Sequence, residues 1–202
     1  MRKYSLVIIG GGLSGLAAGI RFARFDPKVL ILEKHSKAGG LNSYYYRKGR
    51  LFETGLHAIT NFAPPEDKHA PVNRLLRQLK IPRRTLTLRQ QKTSEILFPG
   101  KASLCFSNDF NLLLSQVAEH FPDSSRQFAK MIAELDKYDA FMPRPKISAR
   151  KFVSSFLEDR LLVEMLFCPI MFYGSSDEDD LDLSQFVILF RSILQEGFFR
   201  PE

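Results

Sequence analysis

Cysteine is scarce and long apolar runs are missing, and each shortage removes a class of protein. Only Cys105 and Cys168 occur, far apart in the chain. That pair does not make a disulfide framework and suits a reducing compartment. The longest apolar stretches, Leu166–Tyr173 and Phe186–Phe190, fall well short of the roughly 20 residues a membrane span requires. Arg2 and Lys3 precede a short apolar run, Leu6–Ile9, that turns at once into glycines, too brief for a secretory signal. His35, His69 and His120 have no ligand spacing to one another or to the cysteines, so no metal site is expected. There is no internal repeat and no low-complexity segment. These absences predict a cytoplasmic protein, with peripheral membrane contact left open.

At 202 residues, 45% hydrophobic and 25% charged, the chain can bury a real core as one large domain or two small ones. The formal charge is +7. Its basic excess gathers in Arg74, Arg77, Lys80, Arg83, Arg84, Arg89 and Lys92. A basic face can attract anionic lipid or nucleic acid. The more ordinary reading is the solvated side of an amphipathic helix and a hairpin. No aromatic-rich binding motif accompanies the charge, so no nucleic-acid partner is expected.

Residues 6–40 carry the strongest signal. The apolar run Leu6–Ile9 reads as a buried parallel strand, followed by Gly10, Gly12 and Gly15 in G-x-G-x-x-G register. Gly10 permits the tight turn, and Gly12 leaves the backbone open to a pyrophosphate. Gly15 lets the helix lie close on the sheet. The helix opening with Leu13 and Ser14 turns free N–H groups and a positive dipole end toward the phosphates. A second strand, Val29–Leu32, ends in Glu33, placed to accept a ribose hydroxyl, with Lys34 beside it. Ser14 has no partner that would make it a nucleophile. Strand, glycines, helix, strand and acid together point to a dinucleotide.

After Glu33 the strand–helix alternation stops. Asn42–Tyr46 and Arg50–Glu53 flank Arg47-Lys48-Gly49 as an antiparallel hairpin, with one or two of Tyr44, Tyr45 and Tyr46 expected to face a core. Val72, Leu75, Leu76 and Leu79 define a helix opened by Pro71 and followed by Pro82. Residues 85–106 read as strands: Thr85–Leu88 alternates, and two further strands flank Pro99-Gly100. From Asp109 helices follow, at Leu112–Phe121, Gln127–Tyr138, near 149–172 and at 183–196. The last is apolar almost all round and expects burial on every side.

The runs GGGLSGLAAGIRFARF, KVLILEKHSKAGG and FETGLHAI resemble the flavin-dependent phytoene desaturase, carotenoid isomerase and retinol saturase group. The resemblance is closest over residues 4–60. It implies an α/β fold: an FAD-binding Rossmann-like βαβ unit over residues 1–84, then an incomplete α+β substrate domain over 85–202. It also implies FAD as cofactor, with its ADP half on Gly10, Gly12, Gly15 and Glu33. Gly39, Gly40, Leu41 and Asn42 would lie along the cofactor, and the segment at Gly55 and His57 would approach the flavin. Members are longer, and their second half returns to the sheet. The resemblance therefore makes this chain an N-terminal portion whose partner is the missing half of the same protein.

Amine oxidases and many desaturases place Arg after the Gly-Gly pair, where this chain has Leu41. That favours the isomerase and saturase branch and a lipophilic polyene or isoprenoid substrate. An amine oxidase-type enzyme and a lipid-binding protein of the GDP-dissociation-inhibitor type are the alternatives. The intact Gly10, Gly12, Gly15 and Glu33 set argues against the second. With the chemistry on the flavin, no dedicated acid or base is expected. His57 is either a residue near the flavin or a structural histidine. The run Asp177–Asp180 lacks the glycine and closing glutamate of a calcium loop and reads as a solvated turn. Phe152, Phe156, Phe167, Phe172, Phe186 and Phe190 read as core, with an apolar substrate tunnel as the competing expectation.

Overall fold

The computed structural model describes residues 3–55, 58–60 and 62–201. The chain divides into two compact units, Met1–Leu88 with Arg200–Glu202, and Arg89–Phe199.

In the first unit β1 (Leu6–Ile9) pairs in parallel with β2 (Val29–Leu32), Leu6 facing Val29 and Ile9 facing Leu32. The helix α1 (Leu13–Ala23) is the crossover between them. It seats on the sheet at Gly19, where a Cβ would lie 2.8 Å from Ile31 Cδ1. Four consecutive apolar residues predict a strand buried on both faces, and here the structure differs. Leu6 and Ile8 turn toward α1, while Val7 is 50% and Ile9 88% exposed. An apolar run records no layer count, and among the described residues only α1 covers this two-stranded sheet.

The hairpin of β3 (Tyr44–Arg47) and β4 (Arg50–Glu53) is present, with Tyr44 opposite Glu53. Lys48 and Gly49, at φ 51° and 74°, close it as the two-residue left-handed turn that matches strand twist. No tyrosine of the strand reaches a core: Tyr44, Tyr45 and Tyr46 are all exposed. They satisfy themselves laterally, Tyr45 stacking on Phe52 and Tyr44 meeting Tyr46 edge-on. The helix α2 (Pro71–Leu79) begins at its proline and stops where Lys80 turns left-handed at φ 58°. Arg83 and Arg84 of the basic cluster therefore lie beyond the helix. Arg21 and Arg24 of α1 both donate to the Gln78 carbonyl, at 3.0 and 3.1 Å, placing cations at the negative end of α2. The alternating Thr85–Leu88 is mostly not strand. Arg83–Thr85 winds as a 3₁₀ turn closed by Thr85 on the Pro82 carbonyl, and only Leu88 enters β5 (Leu88–Gln90).

The second unit contains the hairpin of β6 (Ser94–Phe98) and β7 (Ala102–Phe106), turned at Gly100. The helices are α3 (Phe110–His120), α4 (Ser125–Lys137), α5 (Ala149–Ser154), α6 (Arg160–Met171) and α7 (Leu183–Phe190). A π-helical turn, Arg191–Gln195, extends α7, and β8 (Phe199–Pro201) follows. Four of the helices start on side-chain caps: Asp109, Ser148, Asp159 and Asp182 each accept a backbone N–H of the first turn.

Leu104, Leu113, Met131, Leu135, Leu162, Phe186 and Phe190 are all fully buried in one cluster. The apolar last helix is accordingly covered by α5 and α6 of its own unit. Burying each of its phenylalanines contributes about 1.5–3 kcal/mol. The Arg191 guanidinium locks the π turn onto the end of α4, donating to the Leu135, Asp136 and Tyr138 carbonyls. Of the six phenylalanines considered for a tunnel, Phe167, Phe186 and Phe190 are core and Phe172 is 84% exposed. Phe152 and Phe156 pack at the cluster edge.

The acidic run is no passive solvated turn. Asp180 accepts the Ser148 hydroxyl at 2.5 Å, the Arg150 N–H at 2.9 Å and its neighbour Leu181 N–H at 2.8 Å. Asp182 reaches the Ile147 N–H, so the run staples the start of α5 to the start of α7. Burial acts to raise both carboxyls, and these hydrogen bonds outweigh it and hold both below the usual aspartate range. Among the described residues no helix is long and apolar enough to cross a membrane, and no three His, Cys, Asp or Glu side chains gather as a metal site.

Candidate functional site

Three turns of the first unit meet. The first leaves β1: Gly10 sits at φ 103°, open to glycine and strained for other residues, and its N–H donates to the Leu32 carbonyl at 2.7 Å. The second leaves β2 through Glu33. Its Oε2 accepts the Gly11 N–H at 2.6 Å and its Oε1 the His35 N–H at 2.8 Å. Those backbone donors, His35 first and then Gly11, hold the carboxyl below the ordinary glutamate range, so it is ionised at neutral pH. The third precedes the hairpin. The Gly39 N–H donates to the Gly11 carbonyl at 2.8 Å, and Gly12 and Gly39 form an isolated parallel bridge.

Glycine is required here for contact as much as for torsion. A Cβ on Gly15 would fall 2.1 Å from the Gly10 carbonyl oxygen, so Gly15 lets α1 close on the turn itself. A Cβ on Gly40 would meet Gly12 Cα at 3.2 Å. Gly12 is different. Its φ of −74° suits any residue, and an added Cβ would meet only Gly40 Cα, at 3.9 Å. Among the described residues nothing demands glycine at 12, and the space above it is left open. That space lies at the N-terminus of α1, which has no side-chain cap and no acid in its first turn. Free N–H groups, a positive helix end and an open backbone fit a pyrophosphate.

Gly55 belongs to the same assembly: a Cβ there would sit 2.1 Å from the Leu41 carbonyl oxygen. Thr54 binds that segment down, its hydroxyl reaching the Leu41 and Ser43 carbonyls at 3.3 and 2.9 Å. Leu13, Ser14, Lys34, Leu41 and Asn42 are exposed around the turns, Leu41 at 84%. His57 lies outside the described residues. A cavity of about 350 Å³ adjoins the turns, lined by Leu13, Asn42, Ser43, Tyr44, Leu51 and Glu53 among others, a size ordinary for small-molecule sites.

Three residues of this assembly escape a reading by motif. Gly11 occupies a free position of G-x-G, yet its N–H holds Glu33. Thr54 is masked by the glycine it precedes. Ser43 lines the cavity and is 8% exposed, with a buried hydroxyl that has no partner among the described residues. The glycine triplet signals the first; nothing local signals the other two.

Residues 8–79 match the family of NAD(P)-binding Rossmann-like domains. Over 134 residues, 66% of the chain, the sequence is 28% identical to a prolycopene isomerase of Daucus carota, covering 21% of that protein. Over 57 residues, 28% of the chain, it is 44% identical to the human all-trans-retinol 13,14-reductase, covering 9% of that protein. The chain is thus similar to the N-terminal regions of a carotenoid isomerase and a retinol reductase. Its fold is shared more widely. An oxidoreductase structure from Methanosarcina mazei superimposes at a TM-score of 0.64 over 98% of this chain and 45% of its own, at 20% identity. The chain thus spans less than half of these relatives. The three glycine-bearing turns described above all fall within the matched Rossmann-like segment, residues 8–79.

Proposed function

We propose that the chain is the nucleotide-holding portion of an FAD-dependent oxidoreductase acting on a lipophilic polyene or isoprenoid. One observation carries the reading: Glu33, Gly11 and Gly39 lock three turns around a backbone at Gly12 that the chain itself leaves uncovered. The relatives' names, a carotenoid isomerase and a retinol reductase, support the substrate class. The hairpin after Glu33, in place of a third crossover, supports FAD over a nicotinamide alone.

The residues divide the work. The Gly12 backbone and the first N–H groups of α1, at Leu13 and Ser14, hold the pyrophosphate. Glu33 keeps lone pairs beyond its two backbone donors and accepts a ribose hydroxyl. Gly39 to Asn42 and Gly55 form the wall leading to the cavity beside Ser43. When bound, the flavin supplies the hydride or electron transfer. The protein orients it and excludes water.

Turnover is assigned to the whole protein, since the chain spans about a fifth of the isomerase and about a tenth of the retinol reductase it resembles. Peripheral membrane contact, beside the source of a lipophilic substrate, is part of the same proposal. Titration of the purified chain with FAD, followed by flavin absorption and fluorescence, tests the cofactor. Saturable perturbation of the flavin bands is expected. A flat titration, together with saturable binding of a nicotinamide dinucleotide, overturns it.

A further inference from the structure

We propose that the groove along α2 is a docking surface for an anionic phospholipid membrane. It encloses about 380 Å³, and Lys68, Arg77, Lys80 and Arg83 line it over an aliphatic floor that includes Leu76 and Ile81. No carboxylate lines it among the described residues. Two exposed acids, Glu66 and Asp67, lie between the lining residues Pro65 and Lys68 in sequence, and the Asp67 carboxylate is engaged by the His69 and Ala70 N–H groups at 2.9 and 3.1 Å.

The wall is built and held. Asn73, 7% exposed, donates to the Pro64 and Asp67 carbonyls at 2.8 and 2.9 Å and accepts from Arg83 Nε at 2.9 Å. Arg83 also donates to the Leu86 carbonyl at 2.5 Å. Its charge is fixed in position as part of the wall. Arg77 gives one nitrogen to the Lys68 carbonyl at 3.0 Å, which draws two cationic segments together. Lys80 adopts φ 58°, ending the helix and bringing its side chain to the groove.

Charge complementarity selects the occupant. Lys68, Arg77, Lys80 and Arg83 present cations in one small area over Leu76 and Ile81, with Arg74 elsewhere on the same helix. Cations interleaved with aliphatic side chains match an interface where phosphates lie above acyl chains. A nucleic acid fits less well, because among the described residues no aromatic ring lines the groove for base stacking, and the nearby Phe62 ring sits against the Arg83 guanidinium. The idea gives the membrane contact of the proposed function its surface, and rests on that reading only for its purpose.

Flotation of the full chain with phosphatidylcholine vesicles, with and without phosphatidylserine, is the test. Binding is expected only with phosphatidylserine, and it should weaken as salt rises. The Lys68→Gln/Arg77→Gln variant should bind roughly 25-fold more weakly, at about fivefold per cation. Lys68→Gln/Arg74→Gln, which leaves the Arg77 hydrogen bond intact, should behave alike, and Lys130→Gln/Lys137→Gln on α4 should bind as the parent does. Equal binding to neutral vesicles, no binding to either, or release by poly(U) at concentrations that leave salt unchanged would each overturn the proposal. Flavin titration of the same variants should be unaltered, so failure here is separable from failure of the cofactor reading.

Discussion

The Glu33 carboxylate accepts the Gly11 backbone N–H at 2.6 Å across 22 residues of sequence. This contact joins the acid at the end of β2 to the glycine turn at the end of β1, so the residue proposed to meet a ribose also shapes the glycine turn. Replacement by Gln leaves one oxygen where two backbone N–H groups, from Gly11 and His35, now find separate acceptors. Glu33→Gln should therefore weaken FAD binding by at least roughly tenfold, one charge-assisted hydrogen bond's worth. Unchanged affinity in a flavin fluorescence titration would mean Glu33 serves the fold alone.

Gly12 and Gly15 should separate ligand binding from folding. Gly15→Ala places a methyl 2.1 Å from the Gly10 oxygen, and either α1 or the turn must shift. Loss of about 1–3 kcal/mol of stability is expected, as for other overpacked sites. Gly12→Ala meets only Gly40 Cα at 3.9 Å and has an ordinary φ of −74°. Folding should be unchanged or improved by up to about 1 kcal/mol. Its methyl instead fills the open space above the turn, so FAD affinity should fall steeply. Urea unfolding and flavin titration of both variants make the comparison, and a Gly12→Ala protein that binds FAD normally contradicts the assignment.

The glycine turns were legible where their causes are local. Gly10 and Gly39, at φ 103° and 124°, answer the torsions of their own turns, whereas Glu33 and Gly40 answer Gly11 and Gly12, more than twenty residues away. Burial is not local, and there the sequence misleads. Leu6–Ile9 and Phe186–Phe190 are both short apolar runs, yet Ile9 is 88% exposed and Phe190 is fully buried. The difference lies in neighbours: one face of β1 meets α1, whereas α7 is enclosed by α5 and α6. Likewise Thr85–Leu88 alternates as a strand would, but Pro82 and the Thr85 hydroxyl on its carbonyl wind Arg83–Thr85 into a 3₁₀ turn, and only Leu88 enters a strand. Ser43 shows nothing in sequence, since an unpartnered hydroxyl is a property of packing.

Acid should loosen the second unit through Asp180. Burial alone would raise its pKa, but the Ser148 hydroxyl and the Arg150 and Leu181 N–H groups bring it below the usual value. The unfolded chain then binds a proton more readily than the folded one. The stability so contributed is complete above about pH 4, near the unfolded aspartate value, and is lost as pH falls through the lowered folded value. Asp182, held low by similar bonds, adds in the same window. In Asp180→Asn the rise of unfolding free energy with pH across that window should be shallower. An identical slope in urea titrations at successive pH values would show the contact to be energetically silent.

Ser43 offers a test that folding and binding answer in opposite directions. Its hydroxyl is buried beside the cavity with no partner among the described residues. Leaving such a group unpaired costs about 1–3 kcal/mol in a protein interior. Ser43→Ala removes the cost at nearly constant volume, so the ligand-free chain should melt higher, by about 2–4 °C per kcal/mol at this size. If the hydroxyl waits for a polar atom of the bound cofactor, FAD should then stabilise the variant less than it stabilises the parent. The difference between the two melting shifts, with and without FAD, measures that contact directly. A variant that melts lower without ligand would show the hydroxyl to be already satisfied, and the cavity wall would need a different description at this residue.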